Sequence, residues 1–188
     1  MISAVVLAAG SATRFGGTKQ LEIIRGKPLP QHAIDAALAA GVGEIVVVLG
    51  HDADNVAAAL RLPAIARVVR NPAYASGIAS SLAAGLRALG DSDAAVVLLG
   101  DQPGITPSHV GALIDTYGRR SPAIVRLRFA SGPGPALLAR PTWPEAEALE
   151  GDAGARVLAE RHPEWVEEID VSGEAPVDVD VPDDLRRA

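Results

Sequence analysis

Ile2-Ser3-Ala4-Val5-Val6-Leu7-Ala8-Ala9-Gly10-Ser11-Ala12-Thr13-Arg14-Phe15-Gly16-Gly17-Thr18-Lys19 is the stretch on which the fold turns. Its first half is uncharged and rich in branched side chains, the composition of a parallel strand buried on both faces. The segment then passes to small residues and delivers one arginine and one lysine. Small residues let backbone N–H groups come close to an anion. Arg14 and Lys19 add formal charge suited to phosphates. Open α/β sheets bind ligands beyond the carboxyl ends of their strands, so this loop is placed for a phosphate-rich ligand. The competing reading is a flexible glycine-rich turn.

The two common phosphate-loop patterns do not fit. A P-loop needs Ser or Thr directly after its Gly-Lys pair, and Lys19 is followed by Gln20. A dinucleotide fingerprint needs G-x-G-x-x-G directly after the strand, but the first glycine beyond Gly10 is Gly16.

Downstream the pattern alternates. A helix is expected over about 29–40, ended by Gly41 or Gly43. Glu44 to Leu49 reads as a second buried strand, and Asp52 as the cap of a helix over 53–60. A third strand is expected over 66–70. Ile78, Leu82, Leu86 and Leu89 then form one helical stripe after the Asn71–Gly77 loop. Ala94 to Leu99 is the most regular strand, broken by Gly100-Asp101-Gln102-Pro103 and followed by a helix over 107–117. Strand–helix alternation argues for a parallel sheet with helices on both faces. Beyond Ala123 the pattern changes. Two short apolar runs flank Ser131-Gly132-Pro133-Gly134, which suggests a local antiparallel excursion. Two short helices, a strand over 166–171 and a last helix from Pro182 complete the chain. The expectation is a three-layer α/β/α, Rossmann-like sheet, mostly parallel with one local antiparallel strand, in a single domain over residues 1–188.

Composition narrows the function. The chain has 188 residues, a net charge of −6 and no cysteine. An acidic balance argues against nucleic acid as a partner. Thiolate metal sites, disulfides and cysteine nucleophiles are excluded. No signal peptide or membrane span is read, so a cytoplasmic protein without membrane association is expected. The four histidines have no paired ligands in the pattern and receive no chemistry.

Two acids stand out. Asp101 follows an uncharged strand directly, at the sheet edge expected to carry the first loop. A carboxylate there suits a Mg²⁺ ion arriving with a triphosphate, because Mg²⁺ takes one or two carboxylates plus phosphate oxygens and water. The alternative is a helix cap. Near the end, Val177-Asp178-Val179-Asp180-Val181-Pro182-Asp183-Asp184 alternates, which puts Asp178 and Asp180 on one face if extended. Asp183 and Asp184 read as first-turn acids of the last helix. Asp180 is therefore the second metal candidate, against an acidic solvated tail.

The first loop resembles the signature of the MobA-like nucleotidyltransferases, L-A-A-G-x-x-x-R-F/M-G-x-x-K. Leu7, Ala8, Ala9, Gly10, Arg14, Phe15, Gly16 and Lys19 match every fixed position. Gly100-Asp101-Gln102-Pro103 is similar to the family's G-D-x-P. The stretch from Asp178 to Leu185 is similar to its D-x-D-T-P-x-D-L, with Val181 in place of Thr. Asn71-Pro72-Ala73-Tyr74-Ala75-Ser76-Gly77, the following Ser80 and Ser81, and Gly151-Asp152-Ala153-Gly154-Ala155-Arg156 resemble the molybdenum-cofactor cytidylyltransferases in particular. One departure is Pro133-Gly134-Pro135 where that branch has Gly-His-Pro.

The resemblance implies catalytic roles for Arg14, Lys19 and Asp101, with Mg²⁺ on Asp101 and Asp180. It implies nucleotide contacts from Leu7, Ala8, Ala9, Gly10, Arg14 and Lys19. Further nucleotide contacts are expected from Asn71, Ser76, Gly77, Ser81, Gly100 and Asp101. Acceptor contacts are expected from Gln102, Pro103, Gly134, Asp152 and Arg156. The implied reaction transfers CMP from CTP to the terminal phosphate of a molybdopterin-type cofactor and releases pyrophosphate. Guanylyl transfer, another phosphorylated acceptor, or nucleotide binding without transfer are the alternatives. A molybdoenzyme or chaperone would be the protein partner.

Overall fold

The uncharged N-terminal run becomes β1 (Ile2–Ala8), and every residue of it after Ile2 is buried. The computed structural model describes residues 1–11 and 15–187. In chain order follow a two-stranded hairpin of β2 (Ile23–Ile24) and β3 (Lys27–Pro28), α1 (Leu29–Ala39), β4 (Ile45–Leu49), α2 (Ala53–Ala59) and β5 (Ala66–Arg70). Then come α3 (Ile78–Ala88), β6 (Ala94–Leu99), α4 (Pro107–Arg120), β7 (Ile124–Phe129), β8 (Gly132–Ala139), α5 (Trp143–Glu147), α6 (Ala155–Arg161) and β9 (Val166–Asp170).

Seven of these strands form one sheet in the order β5-β4-β1-β6-β8-β7-β9. β8 runs antiparallel to both β6 and β7, and every other neighbouring pair is parallel. The antiparallel strand expected around Gly134 is thus a single reversed strand in a parallel sheet. β1 is interior, with β4 on one side and β6 on the other, and the chain runs outward from β1 through β4 to β5 before crossing back to β6, so the strand order diverges between β1 and β6. That divergence opens the crevice in which α/β sheets take ligands.

Strand periodicity builds the two outer layers. Ala4, Val6 and Ala8 face a cluster shared with residues of α1, α2 and α4. Val5, Leu7 and Ala9 face a second cluster with residues of α3, α5 and α6. Both are mainly aliphatic, as an aromatic content of 3% requires. Gly85 sits where α3 crosses β1, and a Cβ there would lie 2.3 Å from Val5 Cγ1. Among the described residues no helix is long and apolar enough to cross a membrane.

Two local expectations are corrected, and one alternative reading falls away. Asp52 does not cap α2: its backbone is left-handed at φ 53°, and its side chain makes no capping bond. Its carboxylate instead accepts from Thr18 Oγ1 at 2.9 Å and Asn55 Nδ2 at 2.7 Å, tying the signature loop to the end of β4. Asp101 does not cap α4. Thr106 does, accepting from His109 N while His109 Nδ1 accepts from Thr106 N. The last helix is a single 3₁₀ stretch, Pro182–Arg186, and the alternating segment before it lies outside the strands.

Candidate active site

The carboxyl ends of β1 and β6 and the start of α3 enclose a cleft of about 410 Å³. Leu7, Ala8, Ala9, Gly10 and Ser11 form one wall of it. Gly100 N donates to Leu7 O at 2.9 Å, so β6 leaves the sheet pressed against the first loop. A Cβ on Gly100 would lie 2.8 Å from Ala8 Cβ, which is why the residue before Asp101 must be small. A Cβ on Gly10 would meet nothing within 4 Å. Gln20 is buried and crosses the loop: its Nε2 donates to Ala8 O at 3.2 Å and to Gly10 O at 2.7 Å.

Lys19 joins the loop to both acidic segments. Its Nζ donates to Asp101 Oδ2 at 2.7 Å, to Val179 O at 2.9 Å and to Asp180 Oδ1 at 3.2 Å. Burial on its own would push the Lys19 pKa down. The charge of Asp101 and the hydrogen bonds to Asp101 and Asp180 outweigh that, and the pKa stands above its ordinary value. The C-terminal segment is docked by Val179, wholly buried beside Ile24 and Leu29, whose N–H donates to Asp101 O at 3.0 Å. Asp184 then fixes the backbone at Asp180. Its Oδ2 accepts from the N–H groups of Asp180 and Val181, each at 2.9 Å. Those N–H bonds and the Arg187 pair hold the Asp184 carboxyl down at about 2. Val181 lacks the hydroxyl usual in the family, and the side-chain acceptor of this turn is Asp184.

The acidic pair fits a divalent cation. Asp101 Oδ1 is buried and has no hydrogen-bond partner among the described residues. Two carboxylates are a hard oxygen donor set. A divalent cation held there would take its remaining positions from water and phosphate oxygens.

The expected nucleotide contacts divide. Leu7, Ala8, Ala9, Gly10, Lys19, Gly77, Ser81, Gly100 and Asp101 all line the cleft, as does Asp180, the second metal candidate. Arg14 lies outside the described residues. Asn71 and Ser76 line a separate shallow groove instead. Asn71 is buried, its Nδ2 donating to Ser80 Oγ at 2.9 Å and Ser81 Oγ at 3.0 Å. Ser76 Oγ donates to Ala73 O at 2.8 Å. Their polar groups are taken up by their own loop. Gly77 has φ +116°, and a Cβ there would lie 2.2 Å from Gly151 O, because the two polar loops cross at that point.

A second cleft of about 390 Å³ adjoins the first and shares Leu7, Ile78, Leu99 and Asp152 with it. Gln102, Gly134, Asp152 and Arg156 line it, and Pro103 does not. Pro103 is buried under the turn. Gln102 Nε2 donates to Asp178 Oδ1 at 2.7 Å, and Arg156 pairs with Glu160 at 3.3 Å. Arg126, which also lines this cleft, carried no motif in the sequence. Gln20 and Asp184 were likewise missed as site builders. Each acts by bonding to backbone, which no side-chain pattern signals.

Comparison with known proteins identifies the fold's lineage. The MobA-like NTP transferase domain model matches residues 4–166. The chain belongs to that family. The transferase domain is 35% identical over 197 residues to the nicotine blue oxidoreductase of Paenarthrobacter nicotinovorans, covering 99% of this chain and 95% of the relative. It superposes on Rv0371c from Mycobacterium tuberculosis H37Rv with a TM-score of 0.88 and 35% identity, covering 99% of this chain and 96% of the other. Rv0371c has also been crystallised in complex with manganese. A nucleotidyl transferase from Methanothermobacter thermautotroptrophicus, Mth528, aligns with a TM-score of 0.82 and 29% identity over 100% of this chain and 95% of the other. The transferase domain therefore carries the fold and the chemistry class of the nucleotidyltransferases.

Proposed function

We propose that the protein transfers CMP from CTP to the terminal phosphate of a molybdopterin-type acceptor with release of pyrophosphate. The observation that carries this reading is the gathering of Lys19, Asp101 and Asp180 beneath the signature loop, beside a second polar cleft. In the reaction an acceptor phosphate oxygen bonds to the α-phosphorus of CTP. The bond from that phosphorus to the bridging oxygen breaks, and its electron pair leaves with pyrophosphate. A phosphate monoester has a second pKa near about 6 and is largely dianionic at neutral pH, so the attack needs no general base.

The chain's residues then act by placement and charge. The Ala9–Ser11 loop presents backbone to the triphosphate, and Gln20 holds the loop's shape. Asp101 and Asp180 would hold a divalent cation, Mg²⁺ by the family resemblance, which neutralises phosphate charge when bound. The adjoining cleft receives the acceptor, with Gln102, Asp152 and Arg156 as its polar groups.

Ala9 bears on the choice of base. Its methyl belongs to the apolar layer and lines the cleft. A methyl-sized difference in a pocket is worth about 1–3 kcal/mol, so CTP should be preferred over GTP by roughly one to two orders of magnitude. Ala9→Gly should erode that preference. Pyrophosphate release with equal CTP and GTP, with and without phosphorylated acceptor, tests the proposal. GTP winning would move the assignment to guanylyl transfer. A second reading comes from the oxidoreductase name of the Paenarthrobacter relative. Redox turnover of nicotine blue, without pyrophosphate release from any NTP, would favour it.

A further inference from the structure

Asn71 does not line the nucleotide cleft, yet its amide governs what Ser81 presents there. The hydrogen bonds run in one direction. The backbone N–H of Ala73 can only donate, so the Asn71 atom it meets at 3.0 Å is the carbonyl Oδ1. That turns Nδ2 toward the serines, 2.9 Å from Ser80 Oγ and 3.0 Å from Ser81 Oγ. An amide nitrogen only donates, so both hydroxyls accept from it. Ser80 still has acceptors for its own proton, Ala73 O at 3.0 Å and Gly77 O at 2.9 Å. Ser81 differs. Among the described residues its Oγ accepts from Asn71 and its own proton meets no acceptor.

Ser81 is 4% exposed and lines the cleft. A buried donor without an acceptor is costly, and native structures seldom leave one unexplained. Lys19, Asp101 and Asp180 gather the charge suited to phosphates in one place. Ser81 shares its side of the cleft with Tyr74, Ala75, Gly77 and Ile78, and Asp152, next to the Gly151 that crosses Gly77, lines the cleft as well. A largely apolar wall with a few placed polar groups suits a flat aromatic ligand.

We infer that Asn71 is a positioning residue that makes Ser81 a hydrogen-bond donor to the nucleobase. The inference rests on the nucleotide reading of this cleft. The atom that Ser81 meets is a carbonyl oxygen or an unprotonated ring nitrogen; cytosine offers both, at its 2-carbonyl and N3. An aspartate at position 71 would still accept from Ala73 N. Its second oxygen would capture the Ser81 proton and turn it away from the cleft.

Calorimetric titration with CTP, and with tripolyphosphate as a probe that lacks the base, tests this in the full chain. Ser81→Ala should weaken CTP about tenfold, the size of one lost hydrogen bond, and leave tripolyphosphate unchanged. Asn71→Asp should weaken CTP comparably while Ser81 is present and add nothing in the Asn71→Asp/Ser81→Ala double variant. Asn71→Ala, run beside it, must show the same dependence on Ser81. Thermal melts report the structural role of Asn71 separately, since that role lowers the melting temperature in both backgrounds. Equal CTP affinity in Ser81→Ala and the native protein would overturn the inference. So would Asn71 variants that weaken CTP equally with and without Ser81, or parallel losses for CTP and tripolyphosphate. Failure of the native protein to bind any nucleoside triphosphate is a different result and would overturn the cleft reading itself.

Discussion

Asp101 divides its carboxylate: Oδ2 holds Lys19 at 2.7 Å, while Oδ1 is buried with no hydrogen-bond partner among the described residues. Replacing it by asparagine removes the charge and keeps the shape. Asp101→Asn should lower turnover by about a hundredfold or more, the size of a lost electrostatic element, with an unchanged circular dichroism spectrum. Ordinary turnover at ordinary Mg²⁺ would remove Asp101 from the mechanism. Lys19→Ala probes the other end of the pair. It removes the ammonium that Asp101 and Asp180 share and should cost about 1–3 kcal/mol in denaturant unfolding, as for a partly buried ion pair losing one member. It should also weaken CTP more than CMP in a binding titration; equal weakening would place Lys19 away from the β- and γ-phosphates. At this scale the sequence was most legible where a residue meets a ligand-sized space. Lys19, Asp101 and Asp180 were found from a motif. Asn71 was misplaced because the same side chain suits a base edge or a loop's own backbone, and only the three-dimensional path of the loop decides between them.

Elements were legible where periodicity is strong and opaque where packing is close. The aliphatic strands and the Ile78–Leu89 stripe announced themselves, whereas Gly85 gave no sign of its part in seating α3 on β1. Alanine is worth about 1 kcal/mol more than glycine inside a helix, so propensity favours Gly85→Ala. The 2.3 Å approach to Val5 Cγ1 opposes it. Overpacking a buried contact costs about 1–3 kcal/mol, and a net loss of stability is expected in urea unfolding. A gain would mean that α3 can lift from the sheet freely. α5 and α6 are joined by His162, whose Nε2 meets Glu145 at 2.5 Å while Nδ1 meets Glu164 at 3.2 Å, the ring stacking on Trp165 at 3.8 Å. The hydrogen bond to Glu145 leads in holding the His162 pKa above its ordinary value. A raised folded-state pKa stabilises fully below the unfolded value and fades as pH rises through the folded one. The stability gap between native protein and His162→Gln should therefore be largest near about pH 6 and shrink toward about pH 8. A gap that widens with pH would contradict the ion pair. Asp184 works in the opposite sense. Its pKa of about 2, below the ordinary 3.8, adds stability that is lost as pH falls through that interval.

Across the whole molecule the fold class could be read because its signals are redundant: short strands rich in branched residues, helical stripes between them, and one stretch where the alternation fails. The order of strands could not, since hydrophobic patterning is blind to which neighbour a buried strand takes. The reach of the C-terminal segment was equally hidden. Nothing in Val177–Val181 reveals that Val179 docks against Ile24 and Leu29, or that Lys19 will close on it. Ending the chain after Val171 should spare the sheet, whose last strand stops at Asp170, and abolish CTP turnover. Retained turnover would make Asp180 dispensable. The contact between Lys19 and Asp180 spans 161 positions, and it also sets a clock. During synthesis every strand of the sheet emerges before Asp180 does. At roughly 5–20 residues per second the ribosome adds Asp180 on the order of a second after Asp170, the end of the last strand. On the roles proposed for Lys19 and Asp180, a chain cut short in that interval carries every strand of the sheet and lacks the second carboxylate.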